Sequence, residues 1–165
     1  MPAAQAQAAI RAALAGVERR IDAACARAGR ERADVRLLPV TKTVEPARIA
    51  AAVAAGYRCF GENRVQEALA KREAFAGQGV SWHMIGHLQR NKVKQALAFA
   101  DCIQSVDRQR LVDRIADQLA GAGERRSVLL QVDTLGAEAS SGSRRRRPRG
   151  SRAISPRGPS SRSTG

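Results

Sequence analysis

The chain has 165 residues and a formal charge of +14 at pH 7, with 29 Lys and Arg against 15 Asp and Glu. This length accommodates one domain and excludes a second core. The longest charge-free run, residues 74–89, is too short and too polar to cross a bilayer, and charges recur through residues 11–22, so we expect neither a membrane span nor a secretory signal.

A long amphipathic helix is predicted first, over residues 5–28, because apolar residues recur there every three or four positions before Gly29. Short apolar runs that fit buried strands follow at intervals of 21 to 25 residues. The five predicted strands are Val35 to Val40, Tyr57 to Phe60, Ser81 to Ile85, Cys102 to Ser105 and Ser127 to Val132.

Helical stretches separate the strands. Pro46 is placed for a first helical turn with Gly56 after the end, and Asn63 and Asp107 are predicted to cap the two helices that follow them. Alternating strands and helices indicate a parallel sheet with right-handed crossovers. Because the first strand–helix turn has no glycine fingerprint, a dinucleotide fold is not favoured.

The repeat length of about 23 residues is typical of a (β/α)8 barrel, which needs about 250 residues in all. About five βα units fit before the composition changes. The sequence therefore predicts an α/β fold of the TIM-barrel type that is incomplete in this chain, with residues 1–138 as its folded part.

Residues 139–165 contain eight Arg and no acid, and consist mainly of Ser, Arg, Gly and Pro. Such a segment buries too little apolar surface to offset its ordering entropy, so we expect a disordered basic tail. Two interpretations stay open: the tail binds nucleic acid through phosphate contacts, or it is GC-rich coding sequence read out of frame, which would make the chain a truncated product without function. The composition favours the second.

Three cysteines, Cys25, Cys59 and Cys102, lie among apolar neighbours without CxxC pairing. They indicate buried thiols in a reducing cytoplasm rather than disulfides or metal ligands. His83 and His87 are four residues apart but lack the Glu of a zinc-binding HExxH motif, so no metal site is predicted.

Polar residues follow the predicted strands, at the edge where parallel βα folds build their sites. Lys42 comes two residues after the first strand, and partial desolvation there would lower the pKa of its amine and allow a Schiff base with an aldehyde. Glu62 and Asn63 follow the second strand in the same way. From local sequence alone, these three residues also have a purely structural interpretation: Lys42 ends a strand in solvent, Asn63 is a helix cap and Glu62 is a solvated loop acid.

Three motifs in order, residues 37–44 (LLPVTKTV), 60–67 (FGENRVQE) and 82–92 (WHMIGHLQRNK), resemble the pyridoxal phosphate homeostasis protein family. Residues 105–107 (SVD) and 128–134 (VLLQVDT) extend the resemblance, which covers about residues 5–138. It implies a barrel like the N-terminal domain of alanine racemase, without that enzyme's second domain.

The resemblance further implies that Lys42 holds pyridoxal 5'-phosphate (PLP) as a Schiff base, that Asn63 lines the cofactor pocket, and that His87 contributes to its wall, with His83 a weaker candidate. It implies a monomeric, cytoplasmic protein that buffers PLP or delivers it to PLP-dependent apoenzymes, with no established turnover. Racemization needs a second acid/base that residues 1–138 do not offer, and the family's phosphate contacts lie on later strands.

Overall fold

The structure is a computed structural model that describes residues 3–132. Its sheet has four parallel strands in sequence order, and a helix connects each strand to the next. The strands are β1 (Cys59–Glu62), β2 (Ser81–Met84), β3 (Cys102–Val106) and β4 (Ser127–Leu130). The helices are α1 (Ala3–Ala28), α2 (Pro46–Ala54), α3 (Val65–Ala74), α4 (Val93–Phe99) and α5 (Gln109–Ala120).

The hydrophobic core lies between one face of the sheet and the helices. Phe60 and Trp82 are paired in register on β1 and β2, and their ring centroids are 5.8 Å apart. Phe75 follows α3 and packs against the same indole ring at 6.1 Å. The other large, fully buried apolar side chains are Ile49, Met84, Leu88, Val93, Phe99, Ile103, Val106 and Leu111.

Four of the five predicted strands are confirmed, with ends displaced by one or two residues. The first, Val35 to Val40, is wrong, because only Val40 forms a bridge, to Gly61. Gly61 donates its amide to the Pro39 carbonyl and accepts from the Thr41 amide, both at 2.9 Å. The next bond of this ladder would require a backbone N–H on Pro39, which proline lacks, so the ladder loses that bond, and no pairing is found from there back to Val35.

The start of α2 at Pro46 is confirmed, with Gly56 at φ +97° just after its end. The two predicted caps are wrong, since α3 and α5 follow Arg64 and Arg108, which make no side-chain cap bond. The carboxylate of Asp107 accepts from the Arg108 guanidinium at 2.9 Å instead. Asn63 is held by a contact described below.

The architecture fits an incomplete barrel of the predicted type. All four residues of β4 are exposed, and Leu130 reaches 70 % exposure. Within residues 3–132, β4 is paired on one side only. The predicted boundary after residue 138 and the tail lie outside the described residues. Among the helices described, none has the length and apolar character needed to cross a membrane.

Candidate site at the carboxyl ends of the strands

Lys42 lies at the tip of a tight turn. The Val44 amide donates to the Thr41 carbonyl at 3.0 Å, so Lys42 and Thr43 are the two central residues of a β-turn. Thr43 has φ +59°, a left-handed conformation that a β-branched residue adopts at a cost of about 1–3 kcal/mol. Such strain persists only where the surroundings hold the backbone in place.

The first anchor of this turn is a buried polar network at Thr41. The Thr41 hydroxyl donates to Glu62 Oε1 at 2.6 Å, and Lys71 Nζ donates to the same oxygen at 2.7 Å. Lys71 Nζ also donates to the Thr41 carbonyl at 2.6 Å. The side chain of Glu62 is fully buried, and that of Lys71 is 8 % exposed. The carbonyl of Thr41 therefore accepts two hydrogen bonds, one from the Val44 amide within the turn and one from Lys71 on α3.

The second anchor is Glu67, which lies one helical turn before Lys71 on α3. Its Oε2 accepts from the Thr43 amide at 3.2 Å, and its Oε1 accepts from the Arg64 guanidinium at 3.0 Å. The Thr43 amide is the main cause that lowers the pKa of the Glu67 carboxyl below its ordinary value of 4.5, and Arg64 adds to the effect. A carboxylate thus holds the strained residue beside Lys42.

The side chain of Lys42 is exposed in this structure. The predicted partial desolvation of the Lys42 amine is therefore not found among residues 3–132. Lys42 follows a single bridge at one side of the sheet, where no described side chain encloses its amine. Exposure leaves the amine accessible to a ligand.

Asn63 is half-buried directly after β1, and its Oδ1 is buried with no hydrogen-bond partner in the described structure. Gly86, after β2, packs against it so closely that an added Cβ would lie 2.6 Å from the Asn63 carbonyl oxygen. The hydroxyl of Ser105 donates to the Gly86 carbonyl at 2.6 Å. Three successive strand ends are thereby joined at Asn63, which lies one residue before Arg64, the N-cap of α3.

His87 follows Gly86 and is exposed at the rim. Its Nδ1 lies 3.5 Å from a carboxylate oxygen of Asp107, which follows β3. The structure therefore brings Asn63 and the segment of residues 86–87 together by direct contact. Lys42 lies at the same edge of the sheet, because it follows Val40 by two residues, as Asn63 follows Gly61, and Val40 and Gly61 form a bridge. Asp133 and Thr134, which follow the last predicted strand, lie outside the described residues.

His83 lies on β2 in register with Gly61, away from the Trp82 core, so it is not part of the hydrophobic packing. Its Nδ1 is 2.7 Å from the Gln104 amide nitrogen, and its Nε2 is 3.1 Å from Cys59 Sγ. Burial lowers the pKa of His83 and raises the pKa of the Cys59 thiol. His83 and His87 thus have different partners, and residues 3–132 hold no cluster of three or more metal-ligating side chains.

A cavity of about 960 Å³ opens at the opposite, amino ends of β1 and β2. Its lining includes Arg32, Arg36, Cys59 and Ser81, and none of the predicted site residues. This cavity is therefore separate from the rim that carries Lys42.

Lys71 is the site residue that sequence reasoning missed, and the burial of Glu62 was missed with it. Glu62 is not the solvated loop acid that its local sequence indicates, because its partner arrives from the next helix. One signal was present: Lys71 falls on the buried stripe of α3, three residues after Ala68 and four before Phe75. A lysine on such a stripe needs a buried partner.

The sequence profile of the alanine racemase N-terminal domain matches residues 13–143. The chain belongs to this family. It is 40 % identical over 129 residues to the pyridoxal phosphate homeostasis protein of Aquifex aeolicus, covering 78 % of this chain and 57 % of the relative. The protein of the same name from Escherichia coli is 39 % identical over 132 residues, with 78 % of this chain and 56 % of the relative covered.

Solved structures agree with this assignment. A protein of unknown function from Bifidobacterium adolescentis superposes with a TM-score of 0.76 and 36 % identity, covering 84 % of this chain and 60 % of that one. PipY of Synechococcus elongatus, determined with PLP bound, superposes with a TM-score of 0.61 and 36 % identity, covering 70 % and 55 %. The chain thus spans little more than half the length of the curated relatives it matches.

Proposed function

We propose that this chain binds PLP through a Schiff base on Lys42 and belongs to a protein of intracellular cofactor homeostasis. The observation that carries the proposal is the anchored turn, which presents the Lys42 amine in solvent at the edge of the sheet that also carries Asn63. The PLP-bound relative PipY and the homeostasis proteins of similar sequence support the choice of cofactor.

The residues present fit PLP. The cofactor carries an aldehyde, and a neutral primary amine condenses with an aldehyde to an imine with release of one water molecule. Lys42 supplies the amine from a backbone that is fixed on both sides. Asn63 supplies a carbonyl oxygen, Oδ1, that is buried and has no partner in the described structure, which is costly unless a ligand donates to it.

His87 is assigned to the wall of the same site. It stands on the segment that Asn63 and Gly86 fix, and a carboxylate oxygen of Asp107 lies 3.5 Å from its Nδ1. An exposed imidazole at the rim can donate a hydrogen bond to an anionic ligand such as a phosphate ester. We assign no phosphate ligand among residues 3–132.

The proposed role is storage or delivery of PLP in the cytoplasm, by a protein that acts as a monomer and passes the cofactor to PLP-dependent apoenzymes. The three free cysteines support a reducing compartment. Racemization is not proposed, because the described rim offers Lys42 but no tyrosine: Tyr57 lies before β1, at its amino end, and bonds Glu18.

The test is a PLP titration of the 165-residue chain, followed by the absorbance of the Schiff base. Lys42→Ala is the test variant and Lys94→Ala, an exposed lysine of α4, is the matched control. We expect saturable binding in the wild type and in Lys94→Ala, and none in Lys42→Ala. Equal signals in all three proteins would refute Lys42 as the anchor.

A further inference from the structure

We infer that Glu62, Lys71 and Glu67 are positioning residues, which fix the turn of residues 41–44 so that Lys42 is presented to PLP in one orientation. The inference rests on the proposed function of Lys42. None of the three touches the amine of Lys42 in the contacts of the structure; they act through the backbone on either side of it.

The geometry of the anchors carries this inference. Five hydrogen bonds converge on Thr41. Its amide donates to the Gly61 carbonyl, and its hydroxyl donates to Glu62 at 2.6 Å and to the Gly61 carbonyl at 3.4 Å. Its carbonyl accepts from Lys71 and from the Val44 amide. Glu67 then holds the Thr43 amide. Lys42, between these two anchored residues, has a free side chain on a fixed backbone.

The strained backbone of Thr43 indicates that this arrangement orients Lys42 and does not serve stability alone. A left-handed threonine is unfavourable on its own, and strained conformations of this kind cluster where a fold orients a functional group. A buried ion pair is likewise weak evidence for stability, because apolar residues of similar volume often serve as well. The left-handed Thr43 and the buried ion pair together specify the direction in which the Lys42 side chain leaves the sheet. Such orientation lowers the entropic cost of a bond to a bound ligand.

The primary test separates the Thr41 hydroxyl from the shape of the side chain. Thr41→Val keeps the volume and removes the hydrogen bond to Glu62, whereas Thr41→Ser keeps the hydroxyl. A hydrogen bond to a charged group corresponds to about a tenfold change in an equilibrium constant. We expect Thr41→Val to bind PLP about tenfold more weakly and Thr41→Ser to stay within about twofold of the wild type.

Two further variants keep the test decisive if Thr41→Val does not fold. Glu67→Ala alters a partly exposed side chain and removes the acceptor of the Thr43 amide, and we expect PLP binding about threefold weaker. Arg72→Met is the matched control, because Arg72 follows Lys71 on α3 and pairs with Asp101, away from the turn. We expect it to bind PLP within about twofold of the wild type.

A second readout distinguishes positioning from general loss of structure. Labelling of Lys42 by a small amine-reactive reagent in the absence of PLP requires only an exposed amine, so we expect the same labelling rate in Thr41→Val, Glu67→Ala and the wild type. Unchanged PLP binding in both variants would overturn the inference, as would an equal loss in Arg72→Met. Unchanged binding in Lys42→Ala would instead refute the proposed function.

Discussion

Removing Lys71 leaves the buried carboxylate of Glu62 without its counter-ion. In Lys71→Met, Glu62 keeps one hydrogen bond, from Thr41, and loses its counter-ion in a fully buried position. Its second oxygen, Oε2, already has no partner in the described structure. Breaking a buried ion pair by removing one partner costs about 3–5 kcal/mol.

That cost is large beside the total stability of a small domain, about 5–15 kcal/mol. Lys71→Met should therefore shift the urea midpoint strongly, and Glu62→Leu should do the same. The double variant Glu62→Leu/Lys71→Met leaves no charge unpaired, so we expect it to recover most of the loss, since apolar replacement of a whole buried pair is often neutral.

The assay is urea unfolding of the four proteins, with intrinsic fluorescence of Trp82 as the signal, because this tryptophan is buried in the core beside Phe60. A non-additive recovery in the double variant is the decisive result. A loss below about 1 kcal/mol in Lys71→Met, or a double variant as unstable as the sum of the singles, would refute the reasoning.

Three further predictions use the same unfolding measurement. Gly86→Ala should lose about 1–3 kcal/mol because its Cβ would clash with Asn63, whereas Gly16→Ala in α1, with no contact below 3.8 Å, should not destabilise; equal losses would contradict this. Thr43→Gly should stay within about 1 kcal/mol of the wild type, because relief of the left-handed strain offsets the entropy of glycine, and a larger loss would show that the strain is absent. The stabilisation from Glu67 should be full above pH 4.5 and disappear as pH falls below it, because the folded pKa is the lower one; a difference between wild type and Glu67→Gln that is independent of pH would contradict this.

The alternation of strands and helices was predictable from sequence because it depends on local periodicity and turn residues. β1 to β4 and the start of α2 at Pro46 followed from such patterns. The strand expected before Lys42 failed for a reason that local pattern does not contain. The missing N–H of Pro39 matters only because that residue lies next to Val40, which pairs with Gly61, so the N–H would belong to the next bond of the ladder.

The same limit applies to the site. Lys42, Asn63 and His87 were placed at the strand ends because every carboxyl end of a parallel sheet meets one edge. The environments of the first two were wrong: Lys42 is more exposed than expected, and Asn63 packs against Gly86 instead of capping α3. Burial of Glu62 depends on Lys71, which lies on α3 rather than on β1. The only sign of this pairing in the sequence is that Lys71 falls among the apolar positions of its helix.

The central claim is that the amine of Lys42 forms the covalent bond to PLP. The most direct measurement is to incubate the chain with PLP, reduce the imine to a stable secondary amine with borohydride, and locate the modified residue by peptide mass spectrometry. The account predicts one pyridoxyl group, on the peptide that contains Lys42. A modified Lys92 or Lys94 with Lys42 untouched, or no modified peptide at all, would contradict it.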